Sequence, residues 1–330
     1  MTTNFEAVAL SASPPALAIV VPVFEDRTAA LSFFREVAGQ FGHAVHVVAV
    51  DDGSVREPLD QTVFQAAGIR ATLVRLRRNL GHQRAIAVGM HYAAEQLPHI
   101  PTIVVMDADG EDLPESVRAL VSRLETNEMG VIVAERKRRH ESLGFQAFYA
   151  LYRLMFQLLT GRRIRFGNFM AMRRFALKRL VAMQELWVHV AACVLVSKLP
   201  IASCPLDRGA RLAGKSKMNF VALALHGFRA AMVFAEDVLV RVGIACALIA
   251  ALSLVGVITA IALKLLGFAT PGWFSVALGI LFLVLLQTGA LTLMTLMLSG
   301  VTRSPTTNVD YTAFVESVVQ VEPERIASHA

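Results

Sequence analysis

Four short, uninterrupted apolar runs mark the first third of the chain: Leu17–Val23, Val45–Val50, Ala71–Leu76 and Thr102–Met106. Between and after them the apolar positions recur at helical spacing, from the end of the first run through Gln40, over 83–96 and over 114–125. Strands apolar on both sides, alternating with amphipathic helices, predict a parallel sheet covered on both faces. In such sheets ligands bind beyond the carboxyl ends of the strands. The polar residues fall at those ends: Glu25 and Asp26 after the first run, Asp51 and Asp52 after the second, Asn79 to His82 after the third, Asp107 to Asp112 after the fourth. Four strand ends are thus expected to converge on one acidic pocket.

The pattern changes completely towards the C-terminus. Lys264 is the only charged residue between Arg241 and Arg303, dividing that stretch into Val242–Leu263 and Leu265–Thr302. Each part supplies the roughly 20 apolar residues that cross a bilayer. Gly267–Gly272 reads as the turn between them, with Trp273 at the level of an interfacial aromatic. Two transmembrane helices, over about 240–264 and about 274–299, are expected. Two buried helices of a large soluble core are the alternative, but a stretch with a single charge is far more apolar than a soluble bundle requires. The whole chain is 55% hydrophobic with a mean hydropathy of +0.53.

The domain plan follows: a flexible tail over 1–16, a soluble domain over 17–218, a juxtamembrane amphipathic helix over 219–237, the two spans within 238–302, and a cytoplasmic tail over 303–330. The first 20 residues show no basic region leading into an apolar one, so no cleaved signal peptide is expected. Arg241, Arg303 and a basic domain before the spans predict a cell inner membrane protein with both termini cytoplasmic. Between Arg136 and Gln184, twelve Lys or Arg face one acid, Glu141. Within that stretch Phe145–Leu159 reads either as a core helix or as one lying in a membrane interface, and its basic surroundings favour the interface. Cys193, Cys204 and Cys246 lack metal-ligand spacing and read as buried thiols.

The acidic run after the fourth strand carries the most chemistry. Asp107 and Asp109 flank one small residue, and side chains two apart on an extended chain point the same way. Two carboxylates so placed can meet one hard divalent cation, and with it phosphate.

Taken in order, Pro22-Val23-Phe24-Glu25-Asp26, Val50-Asp51-Asp52-Gly53-Ser54, Arg78-Asn79-Leu80-Gly81-His82-Gln83, Asp107-Ala108-Asp109-Gly110-Glu111-Asp112 and the basic Arg208–Lys217 resemble the family 2 glycosyltransferases of the GT-A fold. Within that family the likeness is greatest to the polyprenyl-phosphate glycosyltransferases, of the dolichyl-phosphate mannose synthase and bactoprenol glucosyltransferase type. It runs over about 17–235, and a C-terminal pair of spans is common in the group. The resemblance implies an inverting transfer of a hexose from a nucleoside diphosphate sugar to polyprenyl phosphate at the cytoplasmic membrane face.

Residue by residue, the resemblance assigns Pro22, Phe24, Glu25 and Asp26 to the nucleotide pocket, Asp52 to the base and Asp51 to support of that loop. Asp107, Asp109 and Glu111 would hold Mg2+ or Mn2+, Glu111 standing where the family usually has Gln. Arg136, Arg208, Arg211, Lys215 and Lys217 would meet the phosphates of the two substrates. Many relatives carry an Asp where this chain has Asn168, which cannot take a proton. A phosphate monoester, with its second pKa near 6, is already largely dianionic at neutral pH and needs positioning more than deprotonation. The expected partners are the nucleotide sugar, the lipid phosphate and the membrane. A homo-oligomer is left open, and no nucleic-acid partner is expected.

Two other activities remain in view. A membrane-bound glycosyltransferase could use a glycan or lipid hydroxyl instead. Asp107-Ala108-Asp109-Gly110 also fits, superficially, the haloacid dehalogenase phosphatases, in which the first Asp is the nucleophile; Glu111 stands where those proteins have Thr or Ser.

Overall fold

Val, Ile and Leu on both faces drive Leu17–Val23 (β1) to the middle of a sheet, and all seven of its residues are buried. The structure, a computed structural model, describes residues 15–136, 154–162, 166–207, 209, 227–268, 270, 272–302 and 309–323. The remaining strands are Val45–Asp51 (β2), Ala71–Leu76 (β3), Thr102–Val105 (β4), Val131–Arg136 (β5), Phe166–Arg173 (β6), Ile201–Leu206 (β7) and Val315–Val321 (β8). They form one mixed sheet in the order β7-β5-β6-β4-β1-β2-β3-β8. Strands β1 to β4 run parallel, β6 is antiparallel to β4 and β5, and β8 is antiparallel to β3.

The helices Arg27–Phe41 (α1), Gln61–Ala67 (α2) and Pro114–Thr126 (α4) supply one core, where Phe33, Phe34 and Phe64 are fully buried. A second core gathers His82–Gln96 (α3), Arg174–Val181 (α5) and Val190–Val196 (α6). The α/β architecture expected from the apolar runs is present, with α3 and α4 within one residue of their expected limits. Strands β5 to β7, of which β6 runs antiparallel to its neighbours, and the short α2 were not read from the pattern.

The apolar C-terminal part forms Ala235–Leu265 (α7) and Trp273–Thr302 (α8). Both are long and apolar enough to cross a membrane. At about 1.5 Å per residue they exceed the roughly 30 Å of a bilayer's hydrocarbon core. Leu252 and Val255 on α7, and Leu283 and Met297 on α8, are more than half exposed, which an aqueous surface would not sustain. The buried positions of α7 are Cys246, Ser253 and Ala260, seven residues apart, and Thr288 and Thr295 of α8 repeat that interval. Small residues at heptad spacing let two helix backbones pack closely in lipid. The Thr288 and Thr295 hydroxyls bond to carbonyls of their own helix, so neither carries an unmet polar group into the seam. The first span starts earlier than expected, at Ala235; of the expected 219–237 helix only 227–232 is described as a separate helix, ending in a turn at 233–234.

Part of the tail expected over 303–330 is built into the sheet. Residues 315–321 are β8, hydrogen-bonded along β3 from Ala71 to Leu76. Tyr311 is buried beside it, donates its hydroxyl to Glu95 (3.1 Å) and stacks on His91. Alternation in Val315-Glu316-Ser317-Val318-Val319 is interrupted, and the partner strand lies more than two hundred residues away in sequence, so the strand had no local signature. A chain that leaves this sheet, enters α7 and α8 and returns to the same sheet must cross a bilayer an even number of times.

Removing 309–330 bares the β3 edge and the Tyr311 site. The thermal unfolding midpoint of the detergent-solubilised protein is expected to fall by several degrees; an unchanged midpoint would show that β8 adds nothing to the sheet.

Candidate active site

The carboxyl ends of β1 to β4 carry eight acidic side chains, and the structure shows what engages most of them. Glu25 sits at φ +48°, a left-handed turn unusual for a side chain of its size. Its carboxylate accepts the backbone N–H groups of Val55 (2.8 Å), Arg56 and Glu57 (2.8 Å), while its own N–H goes to Ser54 Oγ (2.9 Å). Those N–H bonds, that of Val55 foremost, hold the Glu25 carboxyl below its usual range.

Asp51 and Asp52 end β2 in positions that leave no room for solvent, 0% and 3% exposed. Asp51 accepts from Ser54 N (2.9 Å) and Leu59 N (3.0 Å), with Arg75 Nε at 3.9 Å. Asp52 accepts from Leu80 N (2.7 Å) and Gly81 N (3.0 Å), joining the β2 loop to the β3 loop. Burial pushes the Asp52 carboxyl up, and the two N–H bonds oppose it. Gly53 makes that junction possible: at φ +71° a Cβ would lie 2.6 Å from Asn79 N. The expected support role of Asp51 fits this geometry. Asp52, expected to face a base, is engaged on both oxygens by the 80–81 turn, so it shapes the pocket wall as well.

Pro22 is buried within β1, Phe24 is 41% exposed, and Asp26 precedes α1 without a side-chain cap bond. Of the first loop, Glu25 bonds to the 54–57 turn and Val23 O accepts Asp52 N (2.8 Å), which sets that loop beside the one after β2.

Strand β4 ends at Val105, so Asp107 and Asp109 lie in the following bend, not on an extended strand; the alternation offered for them does not apply. A local turn does the work instead. Asp109 Oδ1 accepts Glu111 N (3.0 Å), and buried Asp112 accepts Asp107 N (3.1 Å). Asp112 thus fastens the loop and does not cap α4, whose N-cap position, Leu113, has no side-chain bond. No group of three His, Cys, Asp or Glu converges as a ready metal cage among the described residues, so Asp107, Asp109 and Glu111 are not a preassembled triad.

Asp107 Oδ1 is buried and has no hydrogen-bond donor. His82 Nε2 lies 3.3 Å away, a contact that would be an ion pair only with a proton on that nitrogen. Asn168, on β6, closes the group: its amide nitrogen is 3.0 Å from His82 Nε2, and its oxygen accepts from Gln83 Nε2 (3.3 Å). Gln83 Oε1 in turn accepts Val190 N (2.7 Å). His82 and Gln83 entered the sequence comparison only as letters of a motif. Their position directly after a glycine at a strand end was the available signal.

Arg136 is the last residue of β5, paired in register with Leu206. Arg208, Arg211, Lys215 and Lys217 lie outside the described residues. Gly209, which is described, donates its N–H to Glu111 O (3.0 Å), and a Cβ on it would collide with the Gly110 carbonyl.

A mixed sheet of this order, with its acidic loops at the ends of the parallel strands, defines a GT-A-like α/β domain. Residues 18–181 match the family model Glycosyl transferase family 2, and the chain belongs to that family. The "Dodecaprenyl-phosphate galacturonate synthase" of Rhizobium johnstonii is 30% identical over 136 residues, 38% of this chain and 38% of that one. The "Uncharacterized glycosyltransferase YkoT" of Bacillus subtilis is 26% identical over 83% of this chain and 84% of its own. Among solved structures, glucosyl-3-phosphoglycerate synthase from Mycobacterium tuberculosis, in complex with Mn2+, UDP and glucosyl-3-phosphoglycerate, superposes with a TM-score of 0.47 at 16% identity, over 69% of this chain and 80% of that one.

Asp51→Ala leaves the buried Leu59 N–H and the half-buried Ser54 N–H without their acceptor. A loss of about 2–4 kcal/mol is expected, read as a lower unfolding midpoint; a variant as stable as the parent would mean that the loop does not depend on this carboxylate.

Proposed function

We propose that this glycosyltransferase moves a hexose from a nucleoside diphosphate sugar to a polyprenyl phosphate, with inversion, at the cytoplasmic face of a cell inner membrane. The observation that carries the donor side is Asp107: at a strand-end edge where neighbouring carboxylates are bonded to backbone N–H groups, one of its oxygens has no donor. That oxygen fits a Mg2+ or Mn2+ ion, to which Asp107 and Asp109 would contribute and a diphosphate and water the rest, the usual division for such ions. Bound there, the ion would offset charge on the departing nucleoside diphosphate.

The chain's own residues do the remaining work. Glu25, Asp51 and Asp52 hold the loops that would enclose the nucleoside, and Arg136, Arg208, Arg211, Lys215 and Lys217 would bind phosphate oxygens through charge-assisted bonds. Asn168 would orient the acceptor, which as a phosphate monoester already carries the attacking charge. The acceptor class is supported by the apolar pair α7 and α8, which would keep the domain beside a substrate confined to the bilayer, and by the relative named for a dodecaprenyl phosphate. The phosphatase alternative through Asp107 gains nothing from the family match.

The test is to incubate the detergent-solubilised full chain with Mn2+, polyprenyl phosphate and a panel of UDP- and GDP-hexoses and hexuronic acids. A lipid-linked sugar with release of one nucleoside diphosphate is expected. Transfer only to a hydroxyl acceptor would overturn the lipid phosphate, and no release from any donor would overturn the whole proposal. Asp109→Asn is expected to lower turnover on the order of a hundredfold or more without changing membrane association, which fractionation checks.

A further inference from the structure

Hydrogen-bond direction in the group around Asp107 has a fixed starting point. A backbone N–H can only donate, so Val190 N makes Gln83 Oε1 an acceptor (2.7 Å). Gln83 therefore turns its amide nitrogen to Asn168 Oδ1 (3.3 Å), and Asn168 turns its own amide nitrogen to His82 Nε2 (3.0 Å). Gln83 is buried, so no water competes at the start of the chain. The imidazole must then present a lone pair at Nε2 and carry its proton on Nδ1.

Two lone-pair atoms consequently face each other: His82 Nε2 and the donorless Asp107 Oδ1, 3.3 Å apart. A gap of that length is too short for a bridging water, yet it suits two neighbouring ligands of one ion. Adjacent ligands about 2.1 Å from an octahedral cation are about 3.0 Å apart. His82 is the first residue of α3 and its side chain is 45% exposed, so it can shift by the remaining few tenths of an ångström.

We infer that His82 Nε2 is a ligand, beside Asp107, of the divalent cation that the proposed donor chemistry uses. A bound ion would take the Nε2 lone pair from the Asn168 N–H, and that N–H would then be free for another acceptor. An imidazole ligand would also tilt the site away from Mg2+, which prefers an all-oxygen shell, and towards Mn2+. Asn168 is what permits this arrangement: its N–H holds Nε2 as an acceptor, whereas an Asp there would draw a proton onto that nitrogen.

This inference rests on the metal-assisted transfer proposed above, and pulsed electron paramagnetic resonance separates the two. The full chain in detergent is loaded with Mn2+ and UDP, and the electron spin-echo signal is examined for a coordinated nitrogen. Wild type is expected to show imidazole nitrogen modulation. His82→Ala is expected to lose it while still binding Mn2+, at least about tenfold more weakly, with a smaller preference for Mn2+ over Mg2+ in competition. Mn2+ bound in wild type without nitrogen modulation would overturn the role of His82 and leave the carboxylate site standing. Absence of any protein-bound Mn2+ in the presence of UDP would overturn both. His82→Gln guards against a folding defect: it keeps an acceptor for Asn168, and modulation persisting in that variant would also overturn the assignment.

Discussion

The strand-end edge of the sheet depends on one constraint: carboxylates crowded at a single edge must find positive partners, and here most find backbone N–H groups. Glu25 takes three from the 55–57 turn, Asp51 two from the 54–59 loop, Asp52 two from the 80–81 turn, and Asp112 one from Asp107. Each of these bonds crosses from one loop to another or closes a loop on itself. Acidic side chains that would repel one another become the struts between loops, and their charge is offset before any ligand arrives. A buried carboxylate so bonded is inexpensive; one left over is not. Among the described residues Asp107 Oδ1 is the buried carboxylate oxygen left without a donor, which is why the edge can keep its shape and still attract a cation.

The same constraint explains what the sequence made legible and what it hid. Strands β1 to β4 announced themselves because burial on both faces forces uninterrupted apolar runs, and the acidic residues followed from the punctuation between them. The roles within the acidic set were less legible. Asp52 looks like a ligand-facing group in sequence, yet its partners are the N–H groups of Leu80 and Gly81, and a backbone N–H has no letter. His82 was hidden for the opposite reason: its meaning comes from Asp107 and Asn168, 25 and 86 positions away, which only the sheet order brings together. The two edge strands, β7 and β8, are half-exposed and carry no continuous apolar run, so they gave no such signal.

The return of the chain to β8 connects the two parts of the molecule without reference to their relative placement. Backbone pairing of 315–321 with β3 returns the chain, after α7 and α8, to the sheet that it left. The small-residue seam of Cys246, Ser253 and Ala260 serves the same end, since two helices that pack as an antiparallel pair return the chain to where it left. Strand β3 also leads into the 77–81 turn, and Arg77 N bonds to Phe314 O (3.0 Å), so the segment after the membrane helices braces the loop that holds Asp52.

Asn168 is where the chemistry of the proposed acceptor meets the geometry. A hydroxyl nucleophile would call for a proton acceptor beside it, and an amide is a poor one. A phosphate monoester brings its own charge, so the position is free to do something else, and in this chain it relays the direction set by the Val190 N–H through Gln83 to His82. A carboxylate at 168 would have to share the space with Asp107 across the imidazole, adding a second negative group where the first is already short of partners. The amide avoids that repulsion, and it preserves the pairing of a donorless oxygen with a nitrogen lone pair that makes the edge receptive to a cation.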